Sequence, residues 1–215
     1  MRKILYTLTL APLALAASPA VAQTASVTDA TGDFLATYAG PHAADLDVTS
    51  FSVSYDSVAQ LFTLGATFAG AIHAETGGTY IIGVNTGTGT IHPFAALGQP
   101  NVLFNQAIAV REDGTGNIGA TPLNPSWIAI AGNILTVKVP LSLLPSTGFV
   151  PGQYGFNLWP RLGTGNNNQI SDFAPENATL AAGVPEPASW GLLILGIGAG
   201  GAMLRRRRST RVAFG

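Results

Sequence analysis

The stretch Val48-Thr49-Ser50-Phe51-Ser52-Val53-Ser54-Tyr55 puts Phe51, Val53 and Tyr55 at every second position, with Ser50, Ser52 and Ser54 between them. Successive side chains of an extended chain point to opposite faces, so this alternation predicts a strand with one apolar and one hydroxyl-bearing face. Residues 61–69 repeat the pattern, with Phe62, Leu64, Ala66 and Phe68 on one side. Residues 79–85 are apolar more continuously, which predicts a central strand covered on both faces. Strands are also expected over 102–111, 127–131, 134–139 and 153–159, the fifth and sixth of the seven joined by Gly132-Asn133 as a two-residue hairpin loop. A single helical turn fits Leu141-Ser142-Leu143-Leu144, closed by Pro145. Glycine, proline and asparagine cluster in the joins, and no window from 23 to 183 sustains a 3.6-residue apolar period. The expected body is therefore all-β, an antiparallel β-sandwich or jelly roll spanning 23–183. Its expected core is Phe51, Phe62, Phe68, Ile82, Phe104, Ile130, Val137 and Phe156.

Composition argues against an intracellular helical protein, whose exposed faces would need Lys, Glu and Arg. Of 215 residues, 47% are apolar and only 10% charged, against roughly 25% charged in ordinary globular chains. There is no cysteine, which excludes disulfides, thiolate metal sites and a cysteine nucleophile. The net charge of −1 divides into +2 over residues 1–22, −7 over 23–183 and +4 over 184–215. An acidic middle speaks against nucleic acid, whose phosphates demand clustered Lys and Arg.

The two ends read as addresses. Arg2-Lys3, an apolar run from Ile4 to Ala17 and the small residues Ala20 and Ala22 form the three parts of a secretory signal peptide, with cleavage by signal peptidase expected after Ala22. At the other end, fifteen uncharged residues over 190–204 precede Arg205-Arg206-Arg207-Arg208, which the positive-inside rule keeps in the cytoplasm. As a helix that run rises about 22 Å, short of the roughly 30 Å hydrocarbon core, so it is a marginal transmembrane span.

The order Val184-Pro185-Glu186-Pro187-Ala188-Ser189-Trp190, apolar span, arginine run resembles the PEP-CTERM protein-sorting signal of Gram-negative bacteria over residues 184–208. The resemblance implies recognition through Pro185, Glu186 and Pro187, a cytoplasmic stop at Arg205, Arg206, Arg207 and Arg208, and removal of the tail by exosortase, a membrane cysteine protease of organisms that make exopolysaccharide. Residues 209–215 form a short tail beyond it. The implied path runs through the inner membrane to the cell surface or extracellular matrix. An ordinary C-terminal anchor behind a proline-rich linker is the competing reading.

The body also resembles a group of bacterial secreted domains of unassigned activity, through Gly32-Asp33-Phe34-Leu35, Asp45-Leu46-Asp47-Val48, Val139-Pro140-Leu141-Ser142-Leu143-Leu144-Pro145, Asn157-Leu158-Trp159-Pro160-Arg161 and Ser171-Asp172-Phe173-Ala174-Pro175. The strand order of that group looks like that of β-sandwich carbohydrate-binding modules, and it brings no catalytic motif. No GxSxG elbow occurs, and His42, His73 and His92 are too scattered for a ligand pair. A non-catalytic surface role is expected, with an exopolysaccharide-binding module as the alternative. For sugar binding, Trp159 with Asn157 and Arg161, and Trp127, are the candidate residues; a tryptophan at strand spacing equally suits half-buried packing. Asp29, Asp33, Asp45 and Asp47 are close enough in sequence to offer calcium hard oxygen ligands from two loops, or else to be solvated loop acids. No other cofactor is expected.

Overall fold

The computed structural model describes residues 24–72, 77–88 and 92–183. Both addresses, Ala20 and Ala22 at one end and 184–215 at the other, lie outside the described residues. Within them the chain is all-β, with eleven strands, short 3-10 turns and no α-helix. None of the described helices is long and apolar enough to cross a membrane, and the expected span over 190–204 lies outside them.

Two antiparallel sheets form. The first has the order β1 (Thr24–Thr28), β2 (Val48–Asp56), β3 (Leu61–Phe68), β9 (Ile134–Pro140), β8 (Ile128–Ala131). The second runs β11 (Leu180–Ala181), β10 (Gly155–Leu162), β4 (Gly78–Asn85), β5 (Gln106–Arg111), β6 (Gly116–Ile118), β7 (Thr121–Pro122). Register follows the apolar period: Phe51 faces Ala66, Val53 faces Leu64 and Tyr55 faces Phe62 across β2 and β3, and Leu64 faces Val137 on β9. On the second sheet Ile82 lies between Leu158 and Ile108. A one-residue slip would turn each of these sets to the wrong face, so the pattern itself selects the pairing.

The inward sides share one core. Phe62 of the first sheet lies 5.3 Å from Phe156 of the second, and Phe68 lies 4.7 Å from Tyr80, measured between ring centroids. Phe51, Phe62, Phe68, Ile82, Val137 and Phe156 are buried there as expected. Ile130 packs against that core half-buried. Phe104 belongs elsewhere, to a second apolar cluster with Phe94, Val102, Trp159, Ile170 and Phe173. Trp159 and its register partner Ile81 carry this cluster on the second sheet. Strand β10 is consequently buried along most of its length, as is the C-terminal half of β4.

Four strands, β1, β6, β7 and β11, were not expected from the sequence; they are short or built of small polar residues, and each is defined by its partner rather than by its own period. The strand expected over 102–111 begins only at Gln106, because Val102 and Phe104 are taken up by the second cluster. The Leu141–Leu143 turn and the Gly132-Asn133 hairpin are present, Gly132 with φ +62°. Phe68 N donates to Asn133 O and Asn133 Nδ2 donates to Phe68 O at 2.7 Å, which stitches that turn to the end of β3.

Candidate functional site

Carboxylates from three segments converge. Asp29 follows β1, Asp33 follows the Thr31-Gly32 turn, and Asp47 stands just before β2. Asp172 arrives from an extended run that lies antiparallel to β10, with Leu158 and Ala174 exchanging backbone hydrogen bonds at 2.8 Å. Asp33, Asp47 and Asp172 each bring one oxygen to within 4.8 Å of the others. Backbone amides fix two of the three. Gly32 N donates to Asp47 Oδ2 at 2.7 Å, while Val48 N and Phe173 N donate to Asp172 Oδ2 and Oδ1 at 2.8 and 2.6 Å.

Three other oxygens have no donor. Asp29 Oδ2, Asp33 Oδ1 and Asp47 Oδ1 are buried without a hydrogen-bond partner, in side chains where an ionised carboxylate calls for several. Desolvation, then the charge of Asp33, push the Asp29 carboxyl up to about 6, with Glu176 and Asp47 adding to the rise. Burial pushes Asp172 up to about 8 against the lowering effect of its amide donors, and the charges of Asp29 and Asp33 add to it. Asp47 rises through burial, opposed by the Gly32 amide. Like charges are thus gathered where water is scarce, the arrangement in which a carboxylate resists ionisation unless a cation joins it.

Of the four aspartates singled out from the sequence, Asp29, Asp33 and Asp47 meet here. Asp45 is buried too, but it stands outside the converging group and its charge acts on the Tyr38 and Tyr80 hydroxyls. Asp172 and Glu176 were missed. The pentapeptide Ser171 to Pro175 was visible as a sequence pattern, yet Asp172 is 124 residues from its amide donor Val48, and only the sheet topology unites them.

The residues considered for sugar binding do not form a platform. Trp159 is 3% exposed, its ring packed among Phe94, Phe104 and Phe173 with centroids 5.0, 4.9 and 6.1 Å away, so it offers no face to a polymer. Gly83 accommodates it: a β-carbon there would fall 2.5 Å from two indole carbons. Asn157 is 1% exposed and its Nδ2 donates to Pro175 O and Ala178 O, at 2.6 and 2.9 Å. Arg161 organises the loop after β10, donating to Gly163 O and Asn166 O at 2.6 and 3.0 Å. Trp127 packs half-buried against the main core. His42 stacks on Phe34 with centroids 4.3 Å apart, His92 Nδ1 contacts Pro100 O, and His73 lies outside the described residues. On the first sheet, Ser50, Ser52, Ser54, Thr63, Thr67 and Thr136 line a shallow hydroxyl-rich groove.

No curated protein and no solved structure matches the chain. A family model does match residues 183–208, the stretch that holds Pro185, Glu186, Pro187 and the four arginines. The chain therefore carries a PEP-CTERM protein-sorting motif, the mark of an exported protein handed to exosortase and sorted to the cell surface.

Proposed function

We propose that this is a non-catalytic component of the cell surface or extracellular matrix: a β-sandwich body carried between two removable addresses. The signal peptide at 1–22 starts export, the span over 190–204 holds the chain in the inner membrane, and exosortase cuts near Pro185 to Pro187. The sorting motif carries this reading, because it begins at residue 183, directly behind the folded body. A low charge fraction and the serine and threonine groove on the first sheet suit contact with neutral, hydrated polymers through many weak hydrogen bonds.

Intact mass of the protein recovered from native cells tests it. The expected chain starts near Gln23 and ends near residues 185–187. Changing Pro185, Glu186 and Pro187 together to alanine should leave Arg205 to Arg208 attached and shift the protein to the membrane fraction. A wild-type surface product that still carries those arginines overturns the processing step.

A further inference from the structure

We infer that Asp33, Asp47 and Asp172, with Asp29 beside them, form a binding site for one calcium ion that joins the start of the body to its C-terminal segment. Two observations are independent of each other. The first is the convergence itself: oxygens on one calcium at 2.3–2.6 Å lie at most about 5 Å apart, and the three carboxylates bring oxygens within 4.8 Å. The second is an unmet demand. Asp47 is only 3% exposed, yet its Oδ1 has no donor, and the buried Asp33 Oδ1 and Asp29 Oδ2 share that condition. A buried carboxylate oxygen with nothing to accept from is costly, and a cation is the partner that satisfies several at once.

The donor chemistry selects the ion. All three converging ligands are carboxylates, which suits a hard cation and not a thiophilic metal. They come from irregular segments rather than a rigid octahedral cage, which suits the six to eight flexible contacts of calcium better than magnesium. The amides of Gly32, Val48 and Phe173 already orient Asp47 and Asp172, as outer partners of ligands do. Affinity on the order of 10⁻⁴ M is expected, as in other extracellular calcium modules.

The test uses the full-length chain in detergent, stripped with EDTA and returned to chelator-free buffer, then titrated with calcium chloride by calorimetry while thermal unfolding is followed. One saturable site and a rising transition temperature are expected, with magnesium giving a smaller rise. Asp47→Asn should weaken calcium at least tenfold, and in EDTA it should be no less stable than wild type, because it removes one charge from a crowd. Asp113→Asn, an exposed acid elsewhere, should bind as wild type does. Absence of any calcium heat or shift in the wild type overturns the inference. So does an Asp47→Asn variant that is equally destabilised with and without calcium, which would mark Asp47 as purely structural. Should Asp47→Asn fail to fold, Asp33→Asn in the half-exposed loop gives the same readout, and unchanged calcium affinity in it counts against the site.

Discussion

At the scale of single residues, Trp159 shows how a side chain changes meaning when a second layer covers it. Its ring fills the space left open by Gly83 and sits under Phe94, Phe104 and Phe173. Trp159→Ala should therefore lower the unfolding free energy by about 3–5 kcal/mol in chemical denaturation, the usual cost of emptying a large aromatic site, and Trp159→Phe should lose less. A sugar-stacking tryptophan would instead leave stability nearly untouched when removed. Nothing in Asn157-Leu158-Trp159-Pro160-Arg161 distinguishes the two, because the covering residues come from 94–104 and 170–173, loops without a period of their own. Aspartates behave likewise. Asp29, Asp33 and Asp47 were legible as a local excess of acid, whereas Asp172 gained its place only through the fold.

At the scale of elements, alternation made β2 and β3 readable residue by residue, since a half-buried strand writes its burial into its sequence. The β8–β9 hairpin was readable for a different reason: Gly132-Asn133 is turn chemistry, and Gly132 adopts φ +62°. Gly132→Val should cost about 1–2 kcal/mol, measured as a lowered denaturation midpoint with unchanged slope, because a β-branched residue resists that half of backbone space. No atom crowds the position, so the loss is conformational rather than steric. The short strands escaped notice because Gly116–Ile118 and Leu180–Ala181 hold too few residues to show a period; β5 and β10 impose their extended state.

At the scale of the whole molecule, the two sheets share one interior whose buried residues, among those described, run from Tyr38 to Ala182, and the proposal that both addresses are removable gives them no duty in it. A chain ending at Gly183 should accordingly unfold at the same temperature as the full-length protein in matched buffer and detergent; a drop of several degrees would mean that the tail contributes to the interior. The proposed calcium site belongs to this scale too, because it bridges segments at opposite ends of the body and would act on global rather than local unfolding.

The C-terminal seam carries one more consequence. Asn157 grips Pro175 and Ala178 by their carbonyls, Gly155 and Phe156 pair with Ala181 and Leu180, and Ala182 N donates to Tyr154 O at 3.0 Å. The last of these knots is thus tied one residue ahead of the matched motif, so scissors closing at residues 185–187, as proposed, would leave every one of them fastened.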